Sequence, residues 1–418
     1  MLFFPFHTTR RHNNWLTPEN VLHCKQVIIH LTTNETFLHT NRKEREFSMK
    51  RNAERAITSI GRYLMTAVLL LPAAGIALTA CGQDTVLPAE SPSAVTTEKP
   101  EPLPSEQFLR EFDVVQDIHR DSFSPIPAED VPRSAFPELS VPTYVTKVEN
   151  TWFIVDCYHN QILYHDNLTD PLTDWQIMTD EINRGHTLAS DGLVYLADDT
   201  ENNRILVFEK KEGVFYHTQT LDDVGNRPHY ILYDAPTDTF YVWSSMSGEM
   251  FLCRHDPGDP RMYLTEHKSV HPLSEKDAYV RSFTIDGDHI YFVAGIPGSP
   301  AILQADLHTF AIQETYPVPD SIAGMVQLTI AEGSFYITVS TDIAGNQDFA
   351  TMIRTDDLSK LAAGDYEDVY ANFIGGGTPY YITLIDNTYY LTEHRIPGHA
   401  VWKFQITEDG IHDVEAVY

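Results

Sequence analysis

The feature that most constrains the fold is a strand pattern that recurs six times after residue 140. Each unit holds two short runs of β-branched and aromatic residues joined by a tight turn, followed by a loop and a third run. In the clearest unit, which starts at His186, the second and third runs are residues 193–198 and 204–208. Helical periodicity is nearly absent, so the pattern predicts a domain of short antiparallel strands.

The spacing of the units predicts how these strands associate. The units begin near residues 145, 187, 229, 281, 327 and 380, and about 40 to 53 residues per unit suits one four-stranded blade. One blade cannot cover both of its faces, so neighbouring blades must stack around an axis. A β-sandwich also has short, regular strands, but it rarely repeats one unit six times. We therefore predict an all-β fold, a six-bladed β-propeller of four-stranded antiparallel blades, over residues 141–418.

The second unit carries a distinctive set of turn residues. Asp191-Gly192 precedes the run Tyr195-Leu196-Ala197-Asp198, and Asn203-Arg204-Ile205 opens the run that ends at Val207-Phe208. This order resembles an NHL repeat. The resemblance implies a six-bladed, NHL-like propeller and leaves the functional subfamily open.

The resemblance is partial in the other units. The first unit keeps Asp156 and the fourth keeps Asp286-Gly287, whereas the third, fifth and sixth units have Ser244, Val339 and Glu393 near the position of the family's Asp. In the family this Asp mainly organises its turn. The resemblance therefore implies that Asp156 and Asp198 are structural rather than catalytic.

A second pattern precedes the repeats. A basic stretch at 49–62 and an apolar stretch at 63–78 lead to Leu78-Thr79-Ala80-Cys81, which is the order of a secretory signal. The cysteine after small residues resembles a bacterial lipoprotein signal, which implies cleavage between Ala80 and Cys81 and acylation of Cys81. A membrane-spanning helix is the alternative, but the apolar stretch is shorter than the roughly 20 residues that a span needs. We expect an exported protein, anchored to the outer face of the bacterial cell membrane.

These patterns divide the chain into five segments. Residues 1–48 precede the signal, and we interpret them as an over-extended reading frame with translation starting at Met49, or as a disordered extension. Residues 49–80 form the signal peptide, and residues 81–105, rich in Pro, Ser, Thr and Glu, form a disordered linker. Residues 106–140 are expected to be an extended or short-helical lead-in that packs on the propeller at 141–418.

Composition limits the partners. The chain has 29 Lys and Arg residues against 59 Asp and Glu, a formal net charge of −30, which argues against nucleic acid and against direct adsorption to anionic lipid. The expected partners are the lipid bilayer, through acylated Cys81, and an unidentified extracytoplasmic ligand or envelope protein. Cys157 and Cys253 would lie two blades apart, so we expect buried apolar residues rather than a disulfide.

The candidate site is one mouth of the central channel. In a propeller, the residues that open each innermost strand and the loops between second and third strands converge there. The residues that this rule selects are His186, Arg227, His229, Arg281, Gln327, Tyr380, Asp198 and Glu393. Guanidinium groups beside imidazoles could hold a carboxylate, a phosphate or a sugar acid. The alternative is that these side chains bond backbone carbonyls where blades meet.

Two functions fit this site. The leading hypothesis is a binding or scaffold module that needs no cofactor. The rival is a lactonase-like hydrolase or a lyase, possibly metal-assisted, in which His186, His229, Asp198 and Glu393 would be the ligands. Their spacing matches no metal-binding signature, so we predict no metal site, and the sequence identifies no catalytic residue. The fold alone cannot decide between the two.

Overall fold

The computed structural model describes residues 103–275 and 277–418. Over these residues the chain forms six antiparallel sheets arranged as a six-bladed β-propeller, which confirms the predicted fold class. The predicted upstream extension, the signal with Cys81, and residues 81–102 of the predicted linker lie outside the described residues. Within the described ranges, no helix combines the length and the hydropathy of a bilayer span.

The first three blades follow a short lead-in. The lead-in contains a one-turn helix, α1 (Phe108–Glu111), and a two-residue strand, β1 (Gln116–Asp117). In each blade the strands lie side by side in sequence order, with the first strand innermost. Blade 1 contains β2 (Pro142–Val148), β3 (Thr151–Asp156), β4 (Gln161–His165) and β5 (Gln176–Thr179); blade 2 contains β6 (Leu188–Ser190), β7 (Val194–Asp199), β8 (Arg204–Lys211) and β9 (Val214–Leu221); blade 3 contains β10 (Pro228–Asp234), β11 (Thr239–Ser244), β12 (Glu249–His255) and β13 (Met262–Ser269).

The last three blades repeat this order. Blade 4 contains β14 (Tyr279–Asp286), β15 (His289–Gly295), β16 (Ala301–Asp306) and β17 (Ile312–Pro317); blade 5 contains β18 (Gly324–Ala331), β19 (Ser334–Thr341), β20 (Thr351–Thr355) and β21 (Glu367–Asp368); blade 6 contains β22 (Thr378–Ile385), β23 (Thr388–His394), β24 (Val401–Thr407) and β25 (Gly410–Ala416).

Burial decreases from the axis to the rim of a blade. All six residues of β7 are buried because neighbouring blades cover both faces of the sheet. The outermost strand β17 has three exposed residues and two half-exposed ones before Pro317, which is also exposed. An outer strand that faces water does not need an apolar run. This explains why each repeated unit of the sequence shows only three clear runs although each blade has four strands.

The ring closes between blades 6 and 1 through side chains rather than through a shared strand. The Thr392 hydroxyl donates to the carbonyl oxygen of Thr143 at 2.7 Å, and the His394 Nε2 donates to that of Pro142 at 2.9 Å. On the rim, the hydroxyl of the last residue, Tyr418, donates to the Asp170 carbonyl oxygen at 2.6 Å.

The channel is filled halfway along its length. The rings of Tyr230 in blade 3 and Tyr381 in blade 6 lie 5.2 Å apart across the axis, and Tyr144 contacts Tyr381 edge-on. The two ends of the channel are therefore separate. The lower end has a cavity of about 440 Å³ beside β6, where the innermost strand has only three residues.

The lead-in runs along the outer edges of three blades in turn. β1 pairs with β13 of blade 3, the Asp121 amide donates to the Thr218 carbonyl oxygen in β9 at 2.7 Å, and the Ile177 amide in β5 donates to the Pro132 carbonyl oxygen at 2.8 Å. The chain thus passes blade 3, blade 2 and blade 1 before it enters β2. Cys157 and Cys253 are both buried and unbridged.

Candidate functional site

Two histidines and a tyrosine form the floor of the upper channel mouth. His186 lies just before β6, His229 is the second residue of β10, and Tyr380 is the third residue of β22. The imidazole rings of His186 and His229 stack with centroids 3.8 Å apart, and the Tyr380 ring lies 6.1 Å from His186. Three of the residues selected from the sequence therefore meet, although they come from blades 2, 3 and 6.

His229 is a buried, neutral histidine. Its Nδ1 donates to the Arg281 carbonyl oxygen at 3.0 Å. Its Nε2 therefore carries the lone pair, and the hydroxyls of Tyr279 and Tyr380 lie 3.2 and 3.3 Å from it. Burial, together with the nearby His186 and Arg281, holds the pKa of His229 well below its ordinary value. The positive charge of the mouth consequently comes from arginine.

The orientation of His186 follows from Thr200. The Thr200 hydroxyl lies 2.6 Å from Asp198 Oδ2 and 2.8 Å from the Pro228 carbonyl oxygen, both of which can only accept. Its hydrogen therefore points to one of them, so Thr200 accepts from the His186 Nδ1 at 3.0 Å. The lone pair then lies on the His186 Nε2, which has no hydrogen-bond partner among the described residues. His186 is only 7% exposed, but this nitrogen is not enclosed and reaches solvent.

Arg281 lies beside this floor with donors to spare. One guanidinium nitrogen donates to the Met325 carbonyl oxygen at 3.2 Å, and the guanidinium carbon lies 4.4 Å from the centre of the Tyr279 ring. No carboxylate within the described residues pairs with Arg281, and the same holds for Arg184 and Arg395 near the same mouth. Arg227 differs from these three arginines because its guanidinium pairs with the Glu201 carboxylate at 2.5 Å.

Two of the selected residues hold the backbone rather than face the mouth. Asp198 accepts from the amides of His186 and Thr187 at 2.9 and 2.6 Å, and from the Thr200 hydroxyl. Gln327 joins blades 5 and 6, accepting from the Ile382 amide at 2.6 Å and donating to its carbonyl oxygen at 3.2 Å. This is the arrangement that the sequence offered as its alternative, side chains bonded to the backbone at blade junctions.

Glu393 lies apart from the histidines. Its carboxyl group accepts from the Trp402 indole at 2.5 Å and from the Tyr370 hydroxyl, within the apolar cluster of blades 5 and 6. Burial is the main cause that raises the pKa of Glu393 to about 7. The metal-ligand set considered from the sequence is therefore not assembled. Within 103–275 and 277–418, no three His, Cys, Asp or Glu side chains are grouped so that they could hold a metal ion.

Sequence reasoning missed Tyr279 and Thr200. Tyr279 precedes Arg281 by two residues in β14, and residues two apart share one face of a strand, so the alternation could have indicated it. Thr200 follows Asp199 in the β7–β8 loop, which the sequence already placed near the mouth. Its role depends on contacts with both Asp198 and Pro228, which no local pattern reveals.

Comparisons with known proteins add little to this description. No protein-family model matches the chain, and no curated protein matches its sequence. Solved structures that it resembles include a candidate 6-phosphogluconolactonase from Bacteroides uniformis (11% identity, TM-score 0.46, covering 68% of this chain and 86% of that one). Virginiamycin B lyase from Staphylococcus aureus gives 14% identity, TM-score 0.46 and coverage of 69% and 88%. Hydrazine synthase from Kuenenia stuttgartiensis has 14% identity and a TM-score of 0.44, and the match covers 68% of this chain and 80% of that one.

Proposed function

We propose that this chain is a membrane-anchored extracytoplasmic lipoprotein whose propeller binds a small anionic ligand at the upper channel mouth. One observation carries the ligand assignment. Among the described residues, no carboxylate pairs with the Arg281 guanidinium, which keeps donors free, in a chain where acidic residues outnumber basic ones 59 to 29. A guanidinium donates to a carboxylate or a phosphate in bidentate fashion.

The neutral floor supports the same ligand. Because His229 is uncharged, a bound anion would contact stacked rings and hydroxyl groups, with the compensating charge on Arg281 at one side. Such a site suits a ligand with a compact body and one anionic group. A rigid scaffold with ligand contacts at its loops is a common basis for recognition.

The proposed anchor is supported by the sequence of residues 49–81. A basic stretch, an apolar stretch and Leu78-Thr79-Ala80-Cys81 occur in the order of a lipoprotein signal. Labelling with palmitate in a bacterial host tests it: the full chain should incorporate label and fractionate with membranes, and Cys81→Ser should do neither. Equal labelling of both proteins would contradict the anchor.

Calorimetric titration with a panel of small carboxylates and phosphates tests the ligand site. Arg281→Gln should weaken binding at least tenfold, because a hydrogen bond to a charged group contributes about 1.5 to 3 kcal/mol. Arg133→Gln is the matched control, since Arg133 is exposed and pairs with Asp174 on the outer edge of blade 1. Equal affinities for both variants and the wild type would exclude the mouth as the anion site.

A hydrolase or lyase is the second candidate, and His186 is the observation that favours it. An imidazole with a free Nε2, next to an arginine that pairs with no carboxylate of the described residues, could remove a proton from a bound substrate. In that case His186→Gln should abolish turnover of a lactone or carboxylate substrate while the ligand still binds. Absence of turnover with every ligand that binds would favour the binding module.

A further inference from the structure

The mouth offers one unused hydrogen-bond acceptor. The Thr200 hydroxyl fixes the hydrogen of His186 on Nδ1, so the lone pair on Nε2 is free. His186 is more than nine-tenths buried, and its ring is held by stacking on His229. Unlike the enclosed ring nitrogens of His289 and His399, the His186 Nε2 is open to solvent, so a ligand donor can take the place of water there. A simple carboxylate such as acetate has no such donor at neutral pH.

The mouth also offers one unused hydroxyl donor. The hydroxyls of both Tyr279 and Tyr380 lie within hydrogen-bond distance of the single lone pair on His229 Nε2. Only one of them can donate to that lone pair. The other keeps its hydrogen for a different acceptor, because no further partner of either hydroxyl occurs among the described residues.

The three groups lie in one continuous row. The Arg281 guanidinium packs on the Tyr279 ring with its carbon 4.4 Å from the ring centre. The Tyr279 hydroxyl is 3.2 Å from His229, and the His229 ring lies 3.8 Å from that of His186. Anion donors, a spare hydroxyl and an acceptor thus follow one another along this row.

We propose that the mouth selects a hydroxy-carboxylate, a ligand in which a hydroxyl group lies close to the carboxylate. The carboxylate accepts from Arg281, and the ligand hydroxyl donates to His186 Nε2 while it accepts from the spare tyrosine hydroxyl. This inference rests on the proposed anion-binding function and specifies its ligand class. An anion without a hydroxyl makes neither of these two hydrogen bonds.

Titration with lactate and propionate tests the inference, because these two carboxylates differ by one hydroxyl group. We expect the wild-type protein to bind lactate at least tenfold more tightly than propionate. Tyr279→Phe keeps the ring under Arg281 and should reduce this ratio. His186→Leu removes the acceptor and should bring the ratio close to one. Circular dichroism of each variant verifies folding. If His186→Leu does not fold, the affinity ratio of Tyr279→Phe alone tests the inference.

The outcomes separate the two claims. If lactate and propionate bind equally and Arg281→Gln weakens both, the hydroxy-carboxylate inference is wrong and the anion-binding function holds. If neither ligand binds in millimolar titrations, and other carboxylates and phosphates also fail, the anion-binding function itself is wrong. A preference for lactate that survives both His186→Leu and Tyr279→Phe also overturns the inference.

Discussion

The two halves of the ring differ in what covers the outermost strand of each blade. In blades 1 to 3, residues of the lead-in bond to the outermost strands β5, β9 and β13. In blades 4 to 6, no strand or bridge of the described residues pairs with the outer edge of β17, β21 or β25. An unpaired edge is a template for association with other chains, so it needs protection of another kind.

The second half protects its edges through short or charged strands. β21 has only two residues, Glu367 and Asp368, both exposed. β17 ends at Pro317, which has no amide hydrogen, and carries the exposed Glu314. The comparison shows that one fold can cover its edges by adding chain or by choosing residues that discourage pairing.

A second difference concerns one position of the repeat. Asp156 in blade 1 accepts from the Ser140 amide at 2.8 Å. In blade 2 the equivalent contact is made by Asp199, which accepts from the Asn183 amide at 2.7 Å, and not by Asp198, which the family resemblance aligns with Asp156. Glu393 holds the matching place in blade 6, opposite Pro379 as Asp156 is opposite Pro142. Its side chain is one methylene longer, and its carboxyl group bonds to Trp402 instead of a preceding amide.

Removing an anchor of the lead-in should have the largest effect on stability. Ile118 is 3% exposed and packs in the apolar cluster of blades 2 and 3. Ile118→Ala should lower the free energy of unfolding by about 2 to 5 kcal/mol, because it leaves a cavity in that cluster. Urea denaturation measures it. Leu384→Ala, at a 56% exposed side chain in blade 6, should change the value by less than about 0.5 kcal/mol. If Ile118→Ala lowers the free energy of unfolding as little as Leu384→Ala does, the lead-in does not stabilise the first half of the ring.

The next largest effect concerns Glu393 and pH. The folded protein raises the pKa of Glu393 from 4.5 to about 7, mainly through burial. The folded chain therefore binds this proton more tightly than the unfolded chain, so stability falls as pH rises from about 4.5 to 7. The full change is at most about 3 kcal/mol.

Denaturation of Glu393→Gln across this pH range provides the test. The amide cannot ionise, so the variant should lack most of the decline that the wild type shows between pH 4.5 and 7. Glu314→Gln, at an exposed position of β17, serves as the control and should behave like the wild type. Parallel curves for Glu393→Gln and the wild type would disprove the assignment of the decline to this carboxyl group.

The smallest expected effect is the difference in coupling free energy between two ion pairs. Arg120 in the lead-in makes a bidentate pair with Glu209 of blade 2, with distances of 2.7 and 2.6 Å and side chains 31% and 10% exposed. A double-mutant cycle with alanine should give a coupling of about 1 to 2 kcal/mol. The Lys403–Glu415 pair of blade 6 is more exposed and should give less than about 0.5 kcal/mol. Equal couplings would show that the lead-in adds no protected contact.

The sequence predicted the architecture of the propeller better than its outer strands. Residues 174–177 fit a fourth strand of blade 1 by composition, but β5 is Gln176–Thr179. Trp175 lies just before it as a fully buried side chain whose indole donates to the Tyr418 hydroxyl at 3.1 Å. That contact joins residues at opposite ends of the propeller sequence, so no local pattern could locate the strand start.

In the candidate site, too, local patterns predicted some positions and distant contacts decided others. The rule that innermost strands open at one mouth selected His186, His229, Arg281 and Tyr380, and the structure brings these four together. The companion rule, that loops between second and third strands converge on the same mouth, selected Glu393, whose side chain enters the apolar cluster near Trp402. Position along a strand is set by local spacing, whereas the direction of a long side chain depends on which neighbours it meets.

The sequence by itself determined the number of blades, the order of their strands and the turn at Asp191-Gly192. These follow from short-range patterns: alternation of apolar residues, and a glycine with positive φ beside an aspartate that accepts from the Val194 amide. Only the tertiary structure decided the path of the lead-in, the neutral state of His229 and the free lone pair of His186. Each of these depends on burial and on hydrogen bonds between residues far apart in sequence, such as His229 and Arg281.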